Sequence, residues 1–560
     1  MKTDSNSSSF DDVRTHEENK KDENIDLRNL HPSTEDELLV ANNKGIGEYA
    51  GVIINCFLIA FGGFMFGFDT GTIGGFFKMG NFMKRFGSYH EGRKEYYFSN
   101  VRTGLLVSMF NVGCCIGGIM LGGLCDKYGR KPALTIVAGI YMLGVLIQIT
   151  CMDHPHVWVQ YLIGRIIAGL GFGGISVFSP LMLGETAPAK LRSICVSFYQ
   201  LVNCFGILIG YCCNYGTKQY NDNNSGQWRV ALGLCFLWAL IMMGGITFVP
   251  ESARYLVQKD RVEEARRTLS ILNKVPMDDP LLEQELDNIT TAVQAERLAG
   301  KASFKELFST KTKVFQRLVM GVILQSLQQL TGDNYFFYYG TIIFTAVGLK
   351  DSYQTSIIIG IVNFASTCMC LLVVKKFGRR TVLLLGSTTM TVCMVIYAAI
   401  GVKKLYPNGR SEPASKSAGD VMIVFTCLYI FFFATTWGPL PYVVCAESYP
   451  LRVKSKCMAI TQGTNWIWGF LISFFTPFIT GAIHFSYGFV FTGCLIFMTF
   501  FVFFVIPETK DLTLEEVDEL WQDDILPWKS AGWVPAARRD ANYNDSELKE
   551  NKETGLKRFF

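Results

Sequence analysis

Histidine is scarce in this chain of 560 residues: six in all, His16, His31, His90, His154, His156 and His484, lying in polar tails, in loops or at the end of an apolar run. Neither a metal centre nor histidine-based acid–base chemistry can be assembled from that scatter, and no cofactor is expected. A GxxxxGK[ST] phosphate loop is missing too, which argues against an ATP-driven pump. Charge of one sign is missing as well. With a net +4 and 18% charged residues, nothing points to nucleic acid. Cysteine is plentiful at seventeen, but without a spacing pattern: Cys56, Cys114, Cys115, Cys212, Cys213, Cys368 and Cys370 sit inside apolar runs. They read as small buried residues, not as a disulfide framework or a metal cluster.

What is present is apolar length. Hydrophobic residues make up 49% of the chain and aromatics 14%, with mean hydropathy +0.25, the composition of a polytopic membrane protein. Runs of about twenty residues suited to crossing a bilayer fall near 51–74, 103–124, 132–152, 157–184, 193–215 and 229–249, then near 317–346, 354–374, 381–402, 419–446, 457–482 and 487–506. The predicted fold is therefore all-α, with twelve transmembrane helices in two six-helix bundles. Residues 1–48 read as a disordered tail without a signal-peptide pattern. Residues 49–250 form the first bundle, 251–315 a charged linker, 316–506 the second bundle and 507–560 a polar tail. The linker is amphipathic over Val262–Leu272 and Leu281–Leu298, which predicts short surface helices.

Orientation rests on the shortest loops. Lys127, Arg130 and Lys131, Lys190 and Arg192, Lys375 to Arg380, and Arg452 to Lys456 all follow even-numbered spans. The positive-inside bias acts most strongly there, so both termini are expected to be cytoplasmic. A glycosylation sequon at Asn223 falls outside on this arrangement, whereas those at Asn6, Asn288 and Asn544 fall inside. Two short motifs recur at a common shift of about 250 residues. Gly129-Arg130-Lys131 returns as Gly378-Arg379-Arg380, and Pro250-Glu251-Ser252 as Pro507-Glu508-Thr509. Each pair occupies the same place in the span order. That implies a duplicated six-helix unit with the substrate site between the copies.

The chemistry concentrates in one run: Gln325, Gln328, Gln329, Gly332, Asp333, Asn334, Tyr338 and Tyr339, between flanks apolar enough for lipid. An unpaired amide at that depth costs several kcal/mol. Single amides serve as interhelical glue; four around a glycine suit an uncharged polyhydroxy ligand, a sugar, because they offer donors and acceptors in fixed directions. On a straight helix Gln329 and Asn334 would point ~140° apart, so the helix must break, and Gly332 is the place for it. Asp69 in span one needs a cation, and Arg165 in span four is its expected partner. The pair reads equally as a proton-coupling device or as a static ion pair. Charges at the loop ends, Asp126, Arg130, Glu185 and Arg192 in one half and Arg379, Arg380, Glu447, Arg452 and Lys454 in the other, are candidates for a cytoplasmic gate. Trp437-Gly438-Pro439-Leu440-Pro441-Tyr442 permits a hinge in span ten, and Tyr442 and Trp466 offer flat faces to a sugar ring. A handful of neutral hydrogen bonds, less the cost of binding, lands near ~4 kcal/mol, the millimolar range suited to a carrier.

Taken together, Gly129-Arg130-Lys131, Pro250-Glu251-Ser252-Ala253-Arg254, Gln328-Gln329-Leu330-Thr331-Gly332-Asp333-Asn334, Gly378-Arg379-Arg380 and Pro507-Glu508-Thr509-Lys510 resemble the sugar porter branch of the major facilitator superfamily across all twelve spans. Phe66-Gly67-Phe68-Asp69-Thr70-Gly71 and Leu526-Pro527-Trp528-Lys529-Ser530 look most like yeast hexose transporters. The resemblance implies a multi-pass plasma-membrane protein, not an enzyme, that carries D-glucose and related hexoses by alternating access. It places the sugar on Gln200, Gln328, Gln329, Asn334, Asn363 and Asn465, with Phe66, Tyr442 and Trp466 lining the site. Phe433 and Tyr442 stand where galactose-carrying yeast relatives are expected to show Tyr and Trp, which favours glucose over galactose. Facilitated diffusion is favoured. The alternatives are a proton-coupled symporter and a non-transporting glucose sensor, the latter expected to carry a longer C-terminal extension.

Overall fold

Apolar helices long enough to cross a bilayer dominate the computed structural model. It describes residues 50–535 apart from 93, 153–155, 188–191, 300–303, 310–312, 347–350, 406–415, 451, 511, 513 and 524. The expected tail 1–48 and the 536–560 part of the expected tail 507–560 therefore lie outside the described residues, as does the side chain of Arg192. The chain divides into a short unit, Met1–Ile53, and a long one, Ile54–Phe560, and the site described below lies in the second.

The first six spans are α1 (Ala50–Phe76), then, after a short helix α2 (Gly80–Phe86) and a hairpin of β1 (Ser88–His90) and β2 (Glu95–Tyr97), α3 (Asn100–Met120). The short α4 (Leu124–Tyr128) leads into α5 (Arg130–Ile149), α6 (Val157–Thr186), α7 (Arg192–Thr217) and α8 (Gly226–Phe248). The linker folds as α9 (Ala253–Gln258), α10 (Val262–Asn273) and α11 (Pro280–Ala299). Ala253, Leu256, Val257, Ala265, Leu269, Leu282 and Leu286 form a small core of their own there. The amphipathic pattern of the sequence is thus satisfied within the linker.

The second six spans begin with a broken pair, α12 (Val314–Gln329) and α13 (Asp333–Ala346), followed by α14 (Ser352–Lys376) and α15 (Arg379–Ile400). Next come α16 (Lys416–Phe432), a single wide turn over Phe433–Trp437 and α17 (Leu440–Ser448), which together make one span; α18 (Lys454–Ile483) and α19 (Tyr487–Val505) complete the set. Nine helical runs among the described residues are apolar and long enough to cross a membrane, and one of them, Lys454–Val505, contains both α18 and α19. The two remaining spans are the broken α12–α13 and α7, which carries Gln200, Asn203 and Asn214 on its length. Twelve crossings result.

Glycines four apart let backbones touch. A side chain at Gly63, Gly67 or Gly71 of α1 would strike backbone oxygens of Tyr199, Asn203 or Ile207 on α7. The same holds for Gly113 and Gly117 of α3 against α6. In lipid, where apolar burial does not drive helices together, such close packing does. The halves meet mainly where α3 lies along α18 and α7 along α14.

The C-terminal segment holds order that a polar tail does not suggest. α20 (Leu514–Gln522) packs on α17, and a 3-10 turn over Pro527–Gly532 lies on α19. Arg317 of α12 pairs with Asp518 and lies 5.4 Å from the Trp521 ring. Trp528 stacks on Phe503 at 6.0 Å with the planes 5° apart.

Candidate functional site

The break between α12 and α13 is built by Gly332, whose φ of +93° favours glycine. Tyr429 fixes it by donating to the Thr331 carbonyl at 2.6 Å. Thr331 in turn donates to the Gln328 carbonyl at 2.8 Å. With the turn reset, Gln328 and Gln329 from one helix and Asn334 from the next converge on Asn465 of α18. Gln329 Nε2 donates to Asn465 Oδ1 at 2.8 Å, and Asn465 Nδ2 donates to both Gln325 Oε1 and Gln328 Oε1 at 2.9 Å. Asn334 Nδ2 donates to Gln329 Oε1. Buried amides in a satisfied network are rigid, because each holds its neighbour's orientation.

Gln328, Gln329, Asn334 and Asn465 line one wall of a cavity of about 110 Å³ between the halves. A water needs ~10–15 Å³ in the same measure, so the space holds on the order of ten water-sized atoms, the size class of a monosaccharide. All nine residues expected at the sugar site, Gln200, Gln328, Gln329, Asn334, Asn363, Asn465, Phe66, Tyr442 and Trp466, line this cavity. Phe66 and Trp466, from opposite halves, meet edge to face at 5.6 Å, and Phe66 stacks on Phe172 at 4.9 Å. The lining also includes Asn111, Asn203 and Cys204, which the sequence reading passed over. Polar residues in the middle of α3 and α7 were the available signal.

Asp69 and Arg165 do meet. Arg165 Nη1 lies 2.7 and 2.8 Å from the two Asp69 oxygens, with 1% and 6% of each residue exposed. Arg165 Nη2 also donates to the Val107 carbonyl at 3.5 Å. The pair sits inside the first bundle, with the Arg165 guanidinium 4.7 Å from the Phe110 ring, and neither member lines the cavity.

The loop-end charges form two clamps on the face where α5 and α15 begin, termed here the tail face. Arg130 binds Glu185 through two hydrogen bonds of 2.9 Å, while Glu251 accepts from the backbone amides of Arg130 and Lys131 at 3.1 and 3.2 Å. Arg379 binds Glu447 at 3.0 Å, and Glu508 accepts from the amides of Arg379 and Arg380 at 2.7 and 3.2 Å. A carboxylate on the first amides of a helix is favourable twice over, satisfying orphan donors and meeting the positive end of the dipole. A side chain at Gly129 or Gly378 would collide with the respective glutamate. The side chains of the remaining gate candidates lie at the margins of the clamps or point elsewhere. Asp126 is 79% exposed and 3.9 Å from Arg130. Arg380 donates to the Phe503 carbonyl. Arg452 pairs with Glu306 of the linker at 3.0 Å, so the basic role opposite Glu447 falls to Arg379. Both clamps lie within single halves, and neither crosses the seam.

At the opposite, far face the bonds cross that seam. Lys218 pairs with Asp351 at 2.5 Å, Tyr353 donates to the Gly75 carbonyl at 2.8 Å and Tyr211 to the Phe337 carbonyl at 3.2 Å. A side chain at Gly74 would strike the Tyr338 carbonyl oxygen.

The family model described as "Sugar (and other) transporter" matches residues 55–521. The chain belongs to this family. It is 59% identical over 516 residues to hexose transporter 2 of Kluyveromyces lactis, covering 92% of this chain and 90% of the relative. It is 58% identical over 508 residues to the galactose transporter of Saccharomyces cerevisiae, covering 91% and 88%. Among solved structures, the inward open conformation of the xylose transporter XylE from E. coli superposes with a TM-score of 0.67 at 25% identity, over 83% of this chain and 99% of that one. The all-α fold with two halves around a cavity is that of the major facilitator superfamily.

Proposed function

We propose that this chain is a hexose carrier of the plasma membrane, working by alternating access and facilitated diffusion, with both termini cytoplasmic and D-glucose as a principal substrate. The observation that carries the reading is the cavity: neutral amides from a broken helix opposite aromatic faces, at the seam of the two halves, with no cation among the described lining residues and one carboxylate, Asp333, which accepts from the Thr331 hydroxyl at 3.2 Å. The amides offer an uncharged polyol donors and acceptors in fixed directions, and the lining offers an anion no countercharge. The identity to a hexose transporter over most of both chains supports it. Phe433 and Tyr442 both line the cavity, and they are the positions on which the choice of glucose over galactose rests.

On this reading the tail face is cytoplasmic and the far face extracellular. The charge-rich short turns support the assignment. The bonds across the far seam then belong to a state closed to the outside. Sugar would bind by exchanging water for amides in a rigid lining, and the halves would rock about it.

The test is uptake of labelled glucose into sugar-free proteoliposomes with and without a pH gradient. Accumulation to the equilibrium level, unaffected by the gradient, is expected. A second reading, proton symport, is favoured by the buried carboxylate Asp69 in span one. An inward proton gradient that drives glucose above its external concentration selects it. The full pairing of both Asp69 oxygens by Arg165 supports the static alternative.

A further inference from the structure

One wall of the cavity carries a polar group with nothing to bind. Asn203 follows Gln200 by nearly one turn of α7 and is 9% exposed. Its Nδ2 reaches Gln200 Oε1 at 3.5 Å, and its Oδ1 has no hydrogen-bond partner. The amides facing it from the second half are tied to one another through Asn465. Trp466 Nε1 and the Thr70 hydroxyl, both in the lining, are donors left over. The α7 backbone at Asn203 lies against Gly67, where no side chain fits, so the carboxamide is held at its depth by helix contact.

Buried polar atoms in native proteins are almost always paired. An acceptor orphaned inside a ligand cavity is therefore a place prepared for a donor that the ligand brings. Satisfying it costs no existing bond, whereas engaging the Asn465 network requires exchange. A site that expects a hydroxyl also rejects the analogue lacking it, because the acceptor is then left unpaired again.

We propose that Asn203 is a specificity-determining residue of the sugar site, its carboxamide bonding one hydroxyl of the monosaccharide from the first-half wall while Trp466 Nε1 donates to another oxygen. This rests on the carrier reading above. The ligand feature it selects is a single hydroxyl at a fixed ring position, which separates hexoses from their deoxy analogues at that carbon.

The experiment is inhibition of labelled glucose uptake into proteoliposomes by glucose and by its 1-, 2-, 3-, 4- and 6-deoxy analogues. Wild type is compared with Asn203→Leu, which keeps the volume, and Asn203→Thr, which keeps an acceptor. Expected for wild type is one analogue about three- to tenfold weaker than glucose on account of this contact. In Asn203→Leu glucose weakens by that factor and the same analogue loses its deficit, while deficits at other positions persist. Asn203→Thr retains part of the discrimination and guards against misfolding of the leucine variant. Equal weakening of all six sugars in both variants, or no change in either, overturns the assignment. Glucose uptake by the wild-type protein tests the carrier reading separately: a lost position-specific pattern with that uptake intact removes Asn203 alone.

Discussion

The two faces of the bundle are bonded by opposite rules. On the far face Lys218–Asp351 and Tyr353–Gly75 tie the first half to the second. On the tail face Arg130–Glu185–Glu251 and Arg379–Glu447–Glu508 each knit one half to itself. A machine that opens to alternate sides needs both kinds. Seam-crossing bonds set which side is shut, and bonds within a half keep it stiff while it rocks. The clamps differ in one respect. The first is deep, its side chains 4% and 9% exposed, and the second shallower at 18% and 23%, with Thr509 adding a bond to Glu447 at 2.6 Å.

The comparison breaks most visibly at Gly74. A leucine there cannot coexist with the Tyr338 carbonyl, so Gly74→Leu is expected to hold the far seam open. Glucose uptake should fall by about tenfold or more, a barrier change of ~1.4 kcal/mol or above. Labelling of Ile207→Cys, in the cavity lining, by an impermeant maleimide should rise in the same background. Unchanged uptake would show that the seam tolerates separation.

Next come the clamps. Glu251→Gln and Glu508→Gln each turn charge-assisted bonds into neutral ones, a loss of about 1–2 kcal/mol. Each should lower the melting temperature in detergent, Glu251→Gln by more because its clamp is the more buried. Neither should change the direction of cysteine labelling, whereas a large labelling change would mean that the clamps also gate the seam.

Smaller again is the far-face pair. Lys218 and Asp351 are each about a quarter exposed, at 25% and 24%, so the pair is worth ~0.2–1 kcal/mol, up to about fivefold in an equilibrium. Lys218→Met should shift labelling toward the far-open state by that much with little change in melting. The exchange Lys218→Asp with Asp351→Lys should recover most of it.

A separate effect, read only through its pH dependence, concerns Lys78, beyond the end of α1. Burial pulls its ammonium down to about 8 from the usual 10.5. Because the folded state holds this proton less tightly than the unfolded, its penalty is full below about pH 8 and is relieved as pH rises toward 10.5. The gain in melting temperature from Lys78→Met should therefore be largest near neutrality and shrink above pH 8.

Much of this was legible before any coordinates. Gly332 among amides signals a break because only glycine takes that backbone turn cheaply, and the recurring tripeptides signal two halves because insertion in lipid leaves few other places for charge. Other features depend on partners far along the chain. Arg452 finds Glu306 across 146 residues, and Arg380 reaches a carbonyl on α19; no local pattern announces either. Asn203 in isolation reads as glue between helices, and only its missing partner distinguishes it. The β1–β2 hairpin is three residues a side, too short for alternation to register. α20 and the turn after it lay in sequence too polar to suggest a docked strap.

That strap imposes an order of assembly. Glu251, the last piece of the first clamp, emerges from the ribosome soon after span six, but Glu508 receives its own support from Ser530, whose hydroxyl accepts the Glu508 amide at 2.7 Å. At ~5–20 residues per second the second clamp trails the first by tens of seconds. During that interval a finished half must wait in the bilayer beside an unfinished one, which makes the later half the stage at which quality control can still intervene.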